Sequence, residues 1–438
     1  MIAKTLPRIL FICSLLIAAL LWGYYAKRLH LFPSKELMLA EDQALDLQAR
    51  LRGVAPLGHV NSNETHVVKV HDLTAMSPGL TLISGLDDRN GLMAKIVSPD
   101  GSVIKAWDLD WYKIYPDAKH IPTGKMPKAH PGAEVNGIAI SPNGDITFNY
   151  GDLAMVQVDI CGKVKWRLPV MTHHVVERAE DGSFWALDVN DRNKVDPRYP
   201  NLKPPYRDAG VIQVSNDGKL LQRFSIIDLY SRNGLQGLFA ISGLDDAAAV
   251  YHDGLHANDV EVFPSTLKPG VFAPGDVMVS TRNNNTIFVF DPKTQVIKAV
   301  VSGVTVRQHD PDFIDGSTIS IFDNNAVDDP PARQHSRIVE YNFATRAQRV
   351  LFEGTPAHHF YSFAMGRQQG LPNGNLLITE ATRGRLLEVT PAGKVVWEYY
   401  NIVAPHELGE LPEAERLSPK LFTVESIKAM TAACPKAA

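Results

Sequence analysis

Short runs of alternating apolar and polar residues follow one another from about residue 76 onward, separated by Asp-Gly, Asn-Gly and Pro-x-Gly turns. Alternation with a period of two is typical of strands with one buried face, and these turn sequences are typical of tight connections between antiparallel strands. The pattern therefore predicts an all-β body built from short antiparallel strands.

The strand pattern recurs six times. Each copy begins with a polar opening and a first strand, followed by a glycine turn and a second strand. A third strand then ends near a polar or acidic turn, and a fourth strand often ends in an aromatic residue. The clearest copy is FAMGRQQGLPNGNLLITEATRGRLLEVTPAGKVVWEY, from residue 363. Earlier copies occupy 80–109, 136–166, 173–224, 256–300 and 307–352. Without insertions each copy has about forty to fifty residues, the length of a four-stranded blade, and such units must stack to bury their faces. We predict a six-bladed β-propeller over 76–405; a large β-sandwich or a solenoid is the alternative.

The N-terminus has a different pattern. Residues 6–25 read LPRILFICSLLIAALLWGYY, and about twenty apolar residues suffice to cross a bilayer. Trp22, Tyr24 and Tyr25 lie where an interfacial aromatic belt is expected. Because no small-x-small cleavage site follows, an uncleaved anchor is favoured over a cleaved signal peptide. We predict a single-pass anchor at 1–31 in a bacterial inner membrane, with the propeller in the periplasm or otherwise outside the cytoplasm. A linker with a short helix is predicted at 32–75 and a C-terminal tail at 406–438.

Composition narrows the range of functions. Of the 438 residues 45% are hydrophobic and 21% are charged, which favours a packed core over disorder. The formal net charge is −4 and no basic stripe is present, so nucleic acid is not a predicted partner. Cys13 lies in the apolar run, which leaves Cys161 and Cys434 as the one possible pair; the sequence leaves open whether they join. There is no C-x-x-C pattern to support thiol-redox chemistry.

Polar residues recur at the opening of the first strand of each repeat. In a propeller these strands line the central channel, so their openings converge although they are far apart in sequence. Histidine occupies this position in four of the six repeats. The candidates, in chain order, are Asn136; His173 and His174; His256 and Asn258; Arg307, Gln308 and His309; and His358, His359 and Tyr361. Arg282 and Arg383 recur at the start of a third strand.

Two chemistries suit such a ring. Imidazoles with arginine and asparagine can hold and transfer a compact oxyanion: one histidine attacks, others move protons, and the remaining groups stabilise the oxygens. Alternatively, three imidazoles can bind Zn²⁺ or another transition metal. A hard metal is disfavoured, because Asp259 and Asp310 are the only acidic residues next to these positions. A propeller that binds a ligand or partner without catalysis is a third hypothesis, since many functions share this fold.

Four short motifs occur in a characteristic order: H-A-N at 256–258, S-T-R at 280–282, Q-H at 308–309 and I-F-D-N at 321–324. Together they resemble the bacterial arylsulfotransferases, and the resemblance covers roughly residues 80–400. It implies a periplasmic six-bladed propeller that passes a sulfuryl group from a phenolic sulfate ester to a phenol. The route implied is ping-pong through a transient sulfohistidine, with neither a nucleotide sulfate donor nor a cofactor. The predicted partners are an aryl sulfate donor and a phenol acceptor.

The resemblance also implies residue roles. His309 is implied as the nucleophile. His256 and His174, or less so His173, are implied in proton transfer or sulfate binding, and Asn258 and Arg282 in holding sulfate oxygens. Further predicted substrate-binding residues are His173, Arg307, Gln308 and His359, and no metal ligand is predicted. The chain differs from the well-studied soluble branch, which has a cleaved signal and its own N-terminal β-domain.

Overall fold

The computed structural model describes residues 2–29, 58–128, 131–240, 250–327, 333–355 and 358–435. The chain divides into two compact units: a small one from 1–57 and 122–126, and a large one from 58–121 and 127–438. The small unit holds helix α1 (Ile2–Leu29) and a 3-10 turn, Thr123–Lys125. The helix predicted in the linker, at 36–51, lies outside the described residues.

Helix α1 covers the apolar run that was predicted to span a membrane. Within the described residues, however, no helix is both long enough and apolar enough to cross a bilayer. The predicted membrane anchor is therefore not supported by the structure.

The large unit is all-β, as predicted. Its described strands form six sheets of four or five strands and one three-stranded sheet, and all neighbours are antiparallel except one parallel pair in the third sheet. The first three sheets follow one another in chain order. Sheet I contains β3 (Thr81–Leu86), β4 (Leu92–Val97) and β5 (Val103–Asp108), with β29 (Glu413–Arg416) beside β3. Sheet II contains β6 (Val135–Ile140), β7 (Ile146–Tyr150), β8 (Ala154–Val158) and β9 (Val164–Leu168). Sheet III contains β10 (Thr172–Arg178), β11 (Phe184–Arg192), β12 (Leu202–Val214), β13 (Leu220–Ser225) and β14 (Val250–His252).

The remaining sheets follow the same order. Sheet IV contains β15 (Ala257–Val262), β16 (Val277–Thr281), β17 (Thr286–Asp291) and β18 (Val296–Ser302). Sheet V contains β19 (His309–Phe313), β20 (Thr318–Asp323), β21 (Arg337–Asn342) and β22 (Gln348–Glu353). Sheet VI contains β23 (Arg367–Gly370), β24 (Leu376–Glu380), β25 (Arg385–Val389) and β26 (Val395–Tyr400), with β2 (Val68–Val70) beside β26. The small sheet joins β1 (His59–Asn61), β28 (Glu407–Gly409) and β27 (Ile402–Ala404). Short helices are α2 (Trp111–Ile114), α3 (Ile226–Arg232), α4 (Gly237–Ala240) and α5 (Val424–Thr431), with a 3-10 turn at Ala381–Arg383.

Each predicted repeat corresponds to one of the six sheets. The first strands of sheets II to VI are neighbours, and in sheet I the corresponding place is taken by β29. Strands β6, β10, β15, β19, β23 and β29 contact one another in this order, and β29 contacts β6. These six strands therefore form a closed ring, called here the inner ring. The openings of the inner strands come together at one end of it.

The core lies between neighbouring sheets, and strand β17 shows why its sequence is a continuous apolar run. Phe288 and Phe290 pack in one buried cluster with residues of sheet III, whereas Ile287 and Val289 pack in another with residues of sheet V. Successive side chains of a strand point to opposite faces, so both faces of this sheet are buried. Each such side chain contributes roughly 1.5–3 kcal/mol when it is fully buried.

Sheet I is completed from the other end of the chain. Strand β29 pairs with β3, with Arg416 opposite Thr81 and Glu413 opposite Ser84. The predicted tail at 406–438 thus supplies an inner strand, and the predicted linker supplies β2. Neither strand has a clear apolar alternation, because three of the four residues of β29 are charged and β2 has only three residues.

Cys161 and Cys434 form a disulfide that fastens the residues after α5 to the turn between β8 and β9. The bond closes a loop of 273 residues in sequence. We expect Cys434→Ser to lower the free energy of unfolding by about 2–5 kcal/mol, because cross-links over long loops restrict the unfolded chain. Urea unfolding with and without reductant measures this. The reductant should have no effect on the variant, and equal stability of the oxidised and reduced wild type would contradict the expectation.

Candidate active site

The predicted site positions coincide with irregularities in the inner strands. The strand register shifts at the opening of β6, β10, β15 and β19. A bulge inserts an extra residue, bends the strand and re-aims the side chain at that point. The four register shifts contain Asn136, His174, Asn258 and Asp310, respectively.

Several backbones at these openings lie in the left-handed region, where φ is 56° for His174, 48° for His256 and 59° for Arg307. Residues other than glycine rarely adopt it, and such strain clusters at functional sites. Side chains hold the strained amides in place. The N–H of His256 donates to Asp253 Oδ1 (3.1 Å), and the N–H of Arg307 donates to Asn285 Oδ1 (2.8 Å).

The openings enclose a cavity with about 290 Å³ of space not filled by atoms, its open mouth included. Two kinds of polar side chain line it: imidazoles and amides, from Asn136, His174, Asn258 and His309, and charged groups, from Asp259, Asp310, Arg367 and Glu413. His309 Nε2, Asn258 Oδ1 and Asn136 Oδ1 are buried and have no hydrogen-bond partner among the described residues. Unpaired buried polar atoms are costly, so the cavity suits a polar ligand.

The ring of His309 is held in one tautomer. Its Nδ1 lies 2.7 Å from Asn324 Oδ1 and 3.1 Å from the carbonyl oxygen of Arg307, and both are acceptors. The amide nitrogen of Asn324 donates to the carbonyls of Ser362 (2.9 Å) and Met365 (2.7 Å), so its oxygen must face the imidazole. Nδ1 therefore carries the proton, and Nε2 presents a lone pair.

Burial keeps this imidazole neutral. Burial is the largest cause, and together with the charges of Arg282 and His256 it outweighs the hydrogen bond to Asn324 and lowers the pKa of His309 to about 3. At neutral pH Nε2 is therefore unprotonated, as a nucleophile requires. Asn324 was predicted only as part of a motif; its role in orienting the ring appears only in the structure.

His173 and His174 form a neutral pair, with their Nδ1 atoms 2.6 Å apart. Burial lowers the pKa of His173 to about 4 and, together with the neighbouring imidazoles, lowers the pKa of His174 well below its usual value. The ring centre of His174 is 5.2 Å from that of His256 and 6.3 Å from that of His309. The structure thus brings the three predicted catalytic histidines together.

His256 differs from the other two because its partner is a carboxylate, with Nδ1 2.5 Å from Asp253 Oδ2. Burial raises the pKa of Asp253, but the hydrogen bond from His256 and the charges of His256 and Arg207 outweigh it and bring the value to about 2. Asp253 was not among the predicted site residues. It precedes His256 by three residues, and this D-x-x-H spacing was the available signal.

The predicted substrate-binding residues divide into those at the cavity and those in its surroundings. Asn258 Nδ2 donates one hydrogen to the carbonyl of Gln308 (2.7 Å), which leaves the other for a ligand. The side chain of Gln308 is fully buried and donates to Ser280 Oγ (3.0 Å), so it builds the wall. Arg282 lies next to His256, whose carbonyl accepts from its N–H (3.0 Å), and Arg307 is exposed.

His359 lies elsewhere. It lines a second cleft, together with Phe352, Arg385 and Tyr400, and its ring centre is 6.5 Å from that of Tyr361. It is not among the residues that line the cavity of His309. We therefore leave His359 out of the site described here.

Carboxylates continue along the inner ring past the histidines. Asp259 and Glu261 are two apart on β15, as are Glu413 and Glu415 on β29, so each of these pairs shares a face. Asp310 lies within the register shift of β19, and Asp312 follows it. Burial raises the pKa of Glu413 and of Glu415 to about 7, and that of Glu177 on β10 to about 8. Arg367 contacts Asp310, Asp259 (3.2 Å) and Glu413 (2.7 Å). From the sequence, only Asp259 and Asp310 of these residues were identified, and the cluster of carboxylates around Arg367 was not predicted.

The hypothesis of a histidine metal site finds no matching ligand set. Within the described parts of the chain, no group of three or more histidine, cysteine, aspartate or glutamate side chains is arranged to hold a metal ion.

Gly137 on β6 allows the bulge of β10 to approach. A Cβ atom at this position would lie 1.8 Å from the carbonyl oxygen of His174. We expect Gly137→Ala to displace His174 and to lower turnover of an aryl sulfate by about 10–10²-fold, because a misplacement near 1 Å can cost that much. Gly370→Ala is the matched control, since a Cβ atom there meets nothing within 4 Å. Unchanged turnover in Gly137→Ala would contradict the expectation.

Comparisons with known proteins identify one matching family. The family model described as Arylsulfotransferase (ASST) matches residues 138–402, which is more than half of the chain. No curated protein matches. Similar solved structures include a protein of unknown function from Bacteroides caccae (14% identity, 74% of this chain and 94% of that one, TM-score 0.44). Others are the Dos1 propeller (12%, 77% and 72%, 0.38) and virginiamycin B lyase from Staphylococcus aureus (10%, 60% and 69%, 0.31). TM-scores this low say nothing about function.

Proposed function

Because the chain belongs to the arylsulfotransferase family, we propose that it moves a sulfuryl group from a phenolic sulfate ester to a phenol through a sulfohistidine at His309. The observation that carries the proposal is the state of this ring. Its Nε2 is buried, unpaired and unprotonated in the cavity, while Asn324 holds the proton on Nδ1.

We also propose that the six sheets are the blades of a six-bladed propeller. The support is their strand order and the closed inner ring. This arrangement explains why residues from all six sheets meet at one cavity.

In the first half-reaction the lone pair of His309 Nε2 attacks sulfur and forms an N–S bond. The S–O bond to the aryl group breaks, and its electron pair goes to the phenolate oxygen, which takes a proton from an imidazolium of the site. We propose that Asn258, which lines the cavity, and Arg282, whose charge acts on His309, stabilise the sulfuryl oxygens, as oxyanion donors do. The donor phenol then leaves.

In the second half-reaction the same imidazole, now neutral, removes the proton of the acceptor phenol. The phenol oxygen attacks sulfur, and the N–S bond returns its electron pair to Nε2. Atoms and charge balance over the cycle: the first half-reaction consumes the aryl sulfate and releases its phenol, and the second consumes the acceptor phenol and releases the new sulfate ester. The histidine intermediate splits one difficult transfer into two easier ones.

For location, we propose a compartment outside the cytoplasm. The support is the Cys161–Cys434 disulfide, because such bonds persist mainly in oxidising compartments.

Release of 4-nitrophenol from 4-nitrophenyl sulfate tests the function. The purified full chain is given this donor with and without phenol as acceptor, and the sulfated acceptor is identified by mass spectrometry. We expect release that depends on the acceptor, together with formation of phenyl sulfate. No release across a panel of aryl sulfates and phenols would overturn the proposal and would favour a propeller that binds a ligand without turnover.

A further inference from the structure

The three imidazoles of the site have different partners. His309 Nδ1 donates to an amide, His174 Nδ1 faces another imidazole, and His256 Nδ1 faces the carboxylate of Asp253. A neutral amide and a neutral imidazole do little to stabilise a positive ring, whereas a carboxylate 2.5 Å away stabilises it strongly. The proposed reaction needs one imidazole that alternates between charged and neutral forms.

From this geometry we infer that Asp253 is a positioning residue that makes His256, and not His174, the group that gives the proton to the leaving phenolate and removes it from the acceptor. The inference rests on the proposed function. Since a carboxylate only accepts hydrogen bonds, Nδ1 of His256 keeps its proton and the proton in transit sits on Nε2.

Asp253 is itself held in place. Its Oδ1 accepts from the backbone N–H of His256 (3.1 Å), and its carbonyl accepts from Asn283 Nδ2 (2.6 Å). Arg207 lies 3.7 Å from Oδ2 and is paired with Asp152 at 2.5 Å. The same carboxylate therefore secures the left-handed backbone of His256 and the orientation of its ring.

The surroundings of His174 favour the neutral form of its ring, in contrast to those of His256. The charged or chargeable groups that act most strongly on its ring are His173, His256, His309 and Arg282, which are all cationic when charged. A positive ring there would be repelled by its neighbours, so His174 remains neutral. A neutral imidazole beside the cavity suits hydrogen bonding to a sulfuryl oxygen. Sulfate binding is therefore assigned to His174 and proton transfer to His256, two roles that the sequence left open between them.

The test compares donors that differ in their need for a proton. The nitro group stabilises 4-nitrophenolate, so it leaves without protonation, whereas 4-methylphenolate is a poor leaving group. We expect Asp253→Asn to lower single-turnover phenol release from 4-methylphenyl sulfate by about 10²-fold or more, the usual contribution of general acid catalysis. Release from 4-nitrophenyl sulfate should fall only a few-fold. His256→Gln should show the same donor-selective loss, and His174→Gln should lose similar factors with both donors.

The controls separate positioning from folding. Asp196→Asn removes a carboxylate whose Arg198 partner is mainly exposed, and both donor rates should stay unchanged. Equal losses with both donors in Asp253→Asn, or no loss, would overturn the inference. A wild type without turnover would instead remove the proposed function.

A readout independent of turnover is the Nδ1 proton of His256. A short imidazole–carboxylate hydrogen bond gives a far-downfield proton resonance, which we expect in the wild type and not in Asp253→Asn. Its absence in the wild type would also overturn the inference.

Discussion

Replacing His309 by alanine should lower steady-state sulfuryl transfer by at least about 10⁴-fold, because the variant lacks the atom that bonds to sulfur in the proposed reaction. The wild type, given donor without acceptor, should gain the mass of one SO₃ group on the peptide that contains His309. The variant should gain none. Phenol release and peptide mass spectrometry measure the two effects on the same samples.

The matched control is His66→Ala, since 74% of this side chain is exposed. It should keep both the rate and the mass gain of the wild type. Retained transfer in His309→Ala, or a sulfuryl group found on another residue, would contradict the assignment of His309 as the nucleophile.

The second large effect concerns stability. Arg367 is the cation shared by Asp259, Asp310 and Glu413, which come from three different inner strands. We expect Arg367→Met to lower the free energy of unfolding by about 3–5 kcal/mol at pH 8, because it leaves buried carboxylates without their partner. Urea unfolding followed by tryptophan fluorescence measures the change.

The loss in Arg367→Met should be smaller at pH 5. Even beside the arginine, burial raises the pKa of Glu413 to about 7, and without the arginine the carboxylates bind protons more readily still. At low pH they become neutral and need no cation. Arg349→Met is the control, since its pair with Glu340 is at the surface and should change stability by less than about 1 kcal/mol. An equal loss at both pH values would show that packing, and not charge, is what the variant removes.

The repeated strands were predictable because both faces of most sheets are buried. Runs such as TIFVFD in β17 are apolar throughout and are bounded by clear turns. Strand β29 was not predictable in this way, because it belongs to the inner ring and three of its four residues are charged. Its place in sheet I depends on pairing with β3, far away in sequence.

Some residues of the candidate site could also be predicted from the sequence, and others could not. His174, His256 and His309 could be found from the sequence, because they recur at one position of the repeat and match family motifs. Asp253 and Asn324 act on neighbouring imidazoles and recur at no such position, so their roles depend on side-chain orientation. His359 shares the repeat position but lines another cleft, so the repeat position alone does not bring a side chain to the cavity of His309.

The pairing of β29 with β3 also bears on how the chain is made. When synthesis proceeds from the N-terminus, β3 exists long before β29, and Thr81 and Arg416 are 335 residues apart. Until then the unpaired side of β3 is an open strand edge, able to pair with a strand of another chain. Protection against aggregation therefore comes from a strand made 335 residues after Thr81, and a chain interrupted before residue 413 would keep that edge exposed.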